Sequence, residues 1–146
     1  MKISSIRSSA KFRRVVLVID DQPTVLDIHV AILKSLKMNL RIVTMTNPVE
    51  ALKWMSNKQV DLIITDFSMH QMNGIEFVKT IKDSCGDKLM PILVVTVVKN
   101  QKIHKELLLA GVTACLQKPV QTQELANISK LLLEKSDHIY NQSLSG

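Results

Sequence analysis

The chain has 146 residues, of which 46% are hydrophobic and only 3% aromatic, so we expect one domain with an aliphatic core. No apolar run approaches the roughly 20 residues of a membrane-spanning helix, and the N-terminus lacks the apolar core of a secretion signal. These features favour a cytoplasmic protein without a membrane partner. The two cysteines are too few for a disulfide framework or a zinc site, and we expect reduced thiols.

The net charge of +6 lies mostly at the N-terminus. Residues 1–14 carry five basic side chains and no acidic one, which leaves +1 for the rest of the chain. A basic segment can bind nucleic acid or anionic lipid, but this one is short and serine-rich, so we expect a solvated leader and no direct nucleic-acid partner. The predicted division is a disordered leader at 1–13, a domain at 14–136 and a flexible tail at 137–146.

The first half of the chain predicts two strand–helix units. Val15–Ile19 is an apolar run typical of a buried strand, and the helix after it is expected to end near Lys37. The second strand is predicted at Leu40–Met45. The sequence Asn47–Glu50 is typical of a helix start, with an asparagine cap, a proline in the first turn and a glutamate three residues after the cap. This second helix is expected to reach about Lys58.

The second half predicts three more units. The strands are expected at Asp61–Asp66, Ile92–Thr96 and Thr113–Leu116. The helices after them are expected from Ile75 to Cys85–Gly86, from about Ile103 to a cap at Gly111, and from about Leu125 to Lys135. Alternating strands and helices imply a parallel sheet with right-handed crossovers and helices on both faces. The predicted fold is a doubly wound α/β domain with five strands.

Polar residues stand where the predicted strands end. In chain order they are Asp20, Asp21, Asp66, Thr96 and Lys118. The carboxyl ends of parallel strands meet at one edge of the sheet, so three carboxylates, a hydroxyl and an ammonium are expected to converge there.

Three close carboxylates repel one another unless a cation intervenes. Carboxylates, a backbone carbonyl and waters suit Mg²⁺. A carboxylate beside Mg²⁺ and a lysine can also act as a phosphoryl acceptor, because aspartate forms acyl phosphates and the cations neutralise the transferring group. The sequence therefore predicts a magnesium-dependent phosphoryl site around Asp66.

The chain resembles the receiver domains of two-component response regulators, from about Val15 to Leu133. The matching features are Asp20-Asp21, the run Asp66-x-x-Met69-x-x-Met72-Asn73-Gly74-x-Glu76, Thr96 and Lys118-Pro119. The resemblance implies a flavodoxin-like sheet of strand order 2-1-3-4-5. It also implies a signalling module that catalyses only its own phosphorylation and dephosphorylation and switches an output or partner.

The resemblance further implies a role for each matching residue. Asp66 would accept the phosphoryl group from a sensor histidine kinase or phosphotransfer protein. Mg²⁺ would be held by Asp21, Asp66 and the backbone carbonyl of Ser68, and through water by Asp20. Lys118 would pair first with Asp66 and then with the phosphoryl group. Thr96 would turn its hydroxyl toward a phosphoryl oxygen, and Lys118–Pro119 would be a cis peptide.

The sequence departs from the family at several positions. Cys115 stands where most receivers have the aromatic residue whose inward movement accompanies activation. His70 replaces a usual proline in the loop after Asp66, and Val97 replaces a small residue and is expected to narrow access to Asp66. Ser68 and Val98 occupy the two positions that tune hydrolysis of the acyl phosphate in the family. Neither is a strong water-positioning group, so a long-lived acyl phosphate is expected.

Two alternatives stay open. The first is a degenerate receiver that binds a partner without phosphorylation, which Cys115 and Val97 favour. The second is a magnesium-dependent phosphatase with an aspartate nucleophile, which needs an acidic residue two positions after the nucleophile, where Ser68 stands. The sequence names neither the kinase nor the output.

The last two helices contain more leucine than one helix face can bury. The residues are Leu107, Leu108, Leu109, Leu131, Leu132 and Leu133. Some of them are expected to be exposed or to face a partner, and dimerisation through the fourth and fifth helices is the hypothesis.

Overall fold

The computed structural model describes the backbone of residues 13–85 and 90–145, and the side chains of residues 13–84 and 90–135. The strands are β1 (Arg14–Ile19), β2 (Leu40–Met45), β3 (Leu62–Asp66), β4 (Ile92–Thr96) and β5 (Ala114–Gln117). The helices are α1 (Pro23–Lys34), α2 (Pro48–Met55), α3 (Gly74–Cys85), α4 (Gln101–Ala110) and α5 (Thr122–Ser145). The leader predicted at residues 1–13 lies outside the described residues except for Arg13.

The five strands form one parallel sheet in the order β2-β1-β3-β4-β5, which confirms the predicted fold. The alternation of side chains along each strand divides the core in two. On one face Val16 and Val18 pack with residues of α1 and α5, and on the other Leu17 and Ile19 pack with residues of α2, α3 and α4. Because β3 and β4 are buried along their whole length, their residues are apolar up to the polar ends.

Several predicted boundaries were wrong, most of them by a few residues and that of the last helix by more. Helix α1 ends at Lys34 instead of Lys37, because Lys37 adopts a left-handed conformation with φ 56°. Helix α2 ends at Met55, and β5 lies one residue later than predicted. Helix α5 continues to Ser145 instead of ending near Lys135, so the predicted tail is largely helical in backbone. Its flexibility stays a prediction.

Asparagine side chains cap the starts of three helices, and at α3 the Asn73 Oδ1 atom accepts a hydrogen bond of 2.9 Å from the Glu76 N–H. The Asn47 Oδ1 atom accepts hydrogen bonds from the backbone N–H groups of Val49 and Glu50, as predicted. The Asn100 Oδ1 atom accepts one from Lys102, a cap that the sequence interpretation did not identify. At the other end of α4, Gly111 adopts φ 112°, which confirms the predicted glycine cap. Lys118–Pro119 is a cis peptide, also as predicted.

The loop from β3 to α3 is closed by backbone contacts. Ser68 and Asn73 form an isolated antiparallel bridge, and the Gly74 N–H donates to the Phe67 carbonyl over 2.7 Å. His70 therefore lies at the tip of a short closed loop that begins directly after Asp66. Among the described residues, no helix is both long and apolar enough to cross a membrane.

Replacing Gly74 with alanine is expected to destabilise the protein. The new methyl group would lie 2.8 Å from Phe67 Cδ2 and 3.0 Å from the Phe67 backbone, so the loop must shift. Overpacking of this kind costs roughly 1–3 kcal/mol, and thermal unfolding should show Tm lower by several degrees. Ser84→Ala, at an exposed position of the same helix, is the control. An unchanged Tm in Gly74→Ala would contradict the close packing.

Candidate functional site

Three carboxylates meet at the carboxyl edge of the sheet, as the strand ends predicted. One ligand oxygen each from Asp20, Asp21 and Asp66 lies within 4.8 Å of the others. Asp20 is 1% exposed and Asp66 is 8% exposed, whereas Asp21 is half-buried. Two carboxylates withdrawn from water beside a third require positive charge nearby.

The strand backbones hold this cluster in place. The Asp20 N–H donates to the Met45 carbonyl, which continues the β1–β2 pairing by one residue. Asp66 pairs with Val95 in the β3–β4 register. These bonds put the carboxylates at the ends of the central strands.

Lys118 supplies the positive charge. Its backbone N–H donates to the Thr96 carbonyl over 2.8 Å, which places it beside the end of β4. Its Nζ atom lies 2.8 Å from Asp20 Oδ2 and 3.5 Å from Asp66 Oδ1. The contact with Asp66 is the pairing that the resemblance implies, and the contact with Asp20 is the shorter of the two. The reason is burial, because the most deeply buried carboxylate has the greatest need of a counter-charge.

The environment of Asp66 disfavours its ionised form. Burial raises the pKa of the Asp66 carboxyl above its usual value, and the charge of Asp20 adds to the rise. The Lys118 ammonium and the backbone N–H groups of Phe67 and Ser68 act in the opposite direction without cancelling it. The Phe67 N–H donates to Asp66 Oδ1 over 2.8 Å. A further cation at the cluster would stabilise the carboxylate.

The donor set fits Mg²⁺. The ion prefers oxygen ligands, keeps several waters and uses few protein carboxylates. Asp21 and Asp66 offer such oxygens. Asp20 already accepts from Lys118 and from the Gln22 N–H, which agrees with a contact through water. The backbone carbonyl of Ser68 follows two residues after Asp66, and its part in metal binding stays a prediction.

Thr96 lies at the edge of this site and is fully buried. Its Oγ1 atom accepts a hydrogen bond of 3.0 Å from the Val98 N–H. Among the described contacts, this hydroxyl bonds the loop after β4 and none of the carboxylates. Val97 is 63% exposed, which weakens the expectation that it narrows access to Asp66.

His70 reaches the cluster, which the sequence interpretation did not foresee. Its Nδ1 atom lies 2.7 Å from Asp21 Oδ2, although its side chain is 84% exposed. This contact joins the loop after β3 to the loop after β1. The only feature of the sequence that pointed to this contact was the closeness of His70 to Asp66, because the histidines are not spaced like metal ligands.

Cys115 is a free thiol and is half-buried in β5. Burial raises the pKa of this thiol, so the neutral form is favoured. It packs against the core on the face covered by α2, α3 and α4. Cys115 is therefore a small core residue with a free thiol. The side chain of Cys85 lies outside the described residues.

The protein is expected to become less stable in mild acid because of the buried His29. His29 is 3% exposed on α1, and its Nδ1 atom has no hydrogen-bond partner among the described residues. Burial lowers its pKa, the Asp20 charge opposes this and the Lys118 charge adds to it. As the pH falls below about 6.5, the unfolded chain therefore takes up this proton before the folded one, and stability falls.

Urea unfolding of wild type and His29→Leu at pH 7 and pH 5 tests this prediction. The variant should lose less stability between the two pH values than wild type. An equal loss in both proteins would show that His29 is not the group responsible.

Comparison with known proteins gives one consistent result. The family model described as the response regulator receiver domain matches residues 16–130. The cyclic di-GMP phosphodiesterase response regulator RpfG of Xanthomonas campestris is 29% identical over 133 residues, which cover 89% of this chain and 35% of the relative. The two-component response regulator ORR8 of Oryza sativa is 26% identical over 118 residues, which cover 80% of this chain and 96% of the relative.

A solved structure agrees with these relatives. The chemotaxis response regulator CheY4 of Vibrio cholerae superposes with a TM-score of 0.74 at 27% identity, covering 83% of this chain and 99% of that one. The chain spans about a third of the first relative named above.

Proposed function

Since this chain belongs to the response regulator receiver domain family, we propose that it accepts a phosphoryl group on Asp66 from a sensor histidine kinase or phosphotransfer protein and then switches an output or partner. One observation carries the proposal: Asp66 belongs to a cluster of three carboxylates, and the Nζ atom of Lys118 lies 3.5 Å from Asp66 Oδ1. The transfer would require Mg²⁺, which Asp20, Asp21, Asp66 and the Ser68 carbonyl would hold.

In the reaction a carboxylate oxygen of Asp66 forms a bond to phosphorus, while the bond from phosphorus to the donor imidazole breaks. The end of β3 fixes Asp66, and the Phe67 N–H orients its Oδ1 atom. Lys118 neutralises charge on the transferring group. Bound Mg²⁺ supplies further neutralisation. The chain acts on no separate substrate, which distinguishes the proposal from the phosphatase alternative.

Lys118 also borders an open cleft of about 330 Å³, which none of the three carboxylates lines. The cleft carries opposite charges at Lys99 and Glu124, so we assign it no part in binding the phosphoryl donor. We also propose a cytoplasmic location, in keeping with a donor that is itself phosphorylated inside the cell.

The degenerate receiver remains the second candidate function, and Cys115 favours it. A thiol in β5 cannot reproduce the movement of an aromatic ring. Under this candidate the acidic site survives while a partner binds regardless of phosphorylation. Phosphoryl acceptance by Asp66 separates the two candidates.

Intact mass after incubation with acetyl phosphate and Mg²⁺ tests the proposal. Wild type should gain one phosphoryl group, and Asp66→Asn should gain none. Chelation of Mg²⁺ should abolish the adduct, and Asp27→Asn, an exposed carboxylate on α1, should retain it. A wild type that gains no adduct from any donor would support the degenerate receiver.

The acyl phosphate is expected to be long-lived. The side chain of Ser68 is exposed and that of Val98 is an apolar group in the loop after β4, so neither offers a strong hold on an attacking water. After removal of the donor, the adduct measured by intact mass should persist for many minutes. A lifetime of seconds would contradict this prediction.

A homodimer through α4 and α5 is also proposed. The leucine-rich segments divide as expected: Leu107, Leu132 and Leu133 are buried, whereas Leu108, Leu109 and Leu131 are more than half exposed. Exposed leucines on two helices can support an interface. Light scattering with and without beryllofluoride should detect the dimer, and a monomer in both states would count against it.

A further inference from the structure

The loop between β4 and α4 is held from the helix side by His104. The His104 Nε2 atom lies 2.7 Å from the Val98 carbonyl oxygen. His104 is half-buried in the first turns of α4, and Val98 is half-buried two residues after the end of β4. The contact therefore fixes the path of the loop that leaves Thr96.

Chemistry determines which group donates in this contact. A carbonyl oxygen only accepts hydrogen bonds, so the His104 Nε2 atom must carry the hydrogen. The interaction thus places a hydrogen on Nε2, directed at the Val98 carbonyl. An NMR spectrum of the ring nitrogens can observe this state directly.

Val98 is held at both of its backbone groups. Its carbonyl accepts from His104, and its N–H donates to the Thr96 Oγ1 atom over 3.0 Å. The buried Thr96 hydroxyl is therefore joined to α4 by two consecutive hydrogen bonds through one residue. If that hydroxyl turns away, the Val98 N–H loses its acceptor, and a half-buried N–H without a partner is unfavourable.

We infer that His104 couples the position of Thr96 to α4 through Val98. This inference rests on the proposed function, in which Thr96 turns toward the phosphoryl group. When Thr96 turns, the loop at Val98 must rearrange, and the bond to His104 carries that rearrangement to α4. The two hydrogen bonds thereby connect the site to the helix that bears the exposed Leu108 and Leu109. This connection does not need the aromatic residue that most receivers have at the position of Cys115.

The first test uses the protein without ligands and measures amide exchange at Val98. In His104→Leu the loop loses its anchor, so the Val98 amide should exchange roughly fivefold faster than in wild type. His104→Gln, whose amide can donate to the same carbonyl, should restore slow exchange. Lys105→Gln, at an exposed position of the same helix, is the control. Unchanged Val98 exchange in His104→Leu would overturn the inference.

The second test adds Mg²⁺ and beryllofluoride, and fluorine NMR reports whether the adduct forms. In wild type the His104 Nε2–H resonance should shift when the adduct forms. In His104→Leu the adduct should still form, while the change in amide exchange across residues 101–110 should be lost. An adduct without any shift at His104 would overturn the inference and leave the proposed function intact. Failure of wild type to form the adduct would overturn the proposed function, and His104 would then only fix the loop.

Discussion

Replacement of Lys118 by methionine is expected to slow phosphorylation of Asp66 by roughly a hundredfold to a thousandfold, the usual cost of removing one charge-stabilising donor. The side chain of methionine has a similar length and no charge. In the wild type the Lys118 ammonium lies 2.8 Å from Asp20 and 3.5 Å from Asp66, so it is already placed where negative charge would develop. The rate is measured with acetyl phosphate at saturating Mg²⁺.

The variant also leaves Asp20 buried without a counter-charge, which is expected to be strongly destabilising. Lys118→Arg keeps the charge, so it separates a folding defect from a loss of chemistry and should retain stability better than Lys118→Met. Lys99→Met, at an exposed position bordering the same cleft, should phosphorylate at close to the wild-type rate. A folded Lys118→Met protein with an undiminished rate would exclude the proposed role.

Asp66→Asn is expected to change stability in opposite directions with and without Mg²⁺. Burial and the Asp20 charge raise the pKa of Asp66, so at neutral pH its ionised form opposes folding, and this penalty is relieved as the pH falls. The neutral asparagine removes the penalty. The metal-free variant should therefore unfold at a higher Tm than metal-free wild type.

With Mg²⁺ the order should reverse. Binding at a hundredfold excess over Kd stabilises a protein by about 2.7 kcal/mol, and wild type should gain Tm accordingly. Asp66→Asn loses a ligand and should gain far less, since even outer-shell partners cost about tenfold to a hundredfold in affinity. Asp27→Asn should behave as wild type in both conditions. Equal gains in all three proteins would show that Mg²⁺ does not bind at Asp66.

The position of the candidate site at the carboxyl edge of the sheet could be predicted, because the sequence marks where each strand ends. Each apolar run stops at a polar residue, and parallel pairing brings those stops together. Asp20 and Asp66 therefore lie where expected. The helix bounds were less certain, because nothing in the polar sequence after Lys135 excludes a further helical extension of α5.

The side-chain contacts of the histidines could not be predicted. His70 meets Asp21 because the Ser68–Asn73 bridge closes a short loop, and His104 meets Val98 because the loop after β4 turns back on α4. His29 lies buried on α1, which its residue type did not indicate. Such contacts depend on how loops fold in three dimensions, which periodicity and spacing do not encode.

Lys118 lies after β5 as the sequence indicates, and it pairs with Asp66 as the resemblance implies. Its shorter contact, with Asp20, depends on the relative positions of the two side chains, which the sequence does not specify.

Borohydride trapping of the phosphorylated protein, followed by peptide mass spectrometry, tests the central claim most directly. Borohydride reduces an aspartyl phosphate to homoserine and so marks the residue that carried the phosphoryl group. Asp20, Asp21 and Asp66 present oxygens within 4.8 Å of one another, so all three are chemically eligible. The account predicts homoserine at position 66 alone, and only when Mg²⁺ was present during phosphorylation. Homoserine at position 20 or 21, or at none of the three, would contradict it.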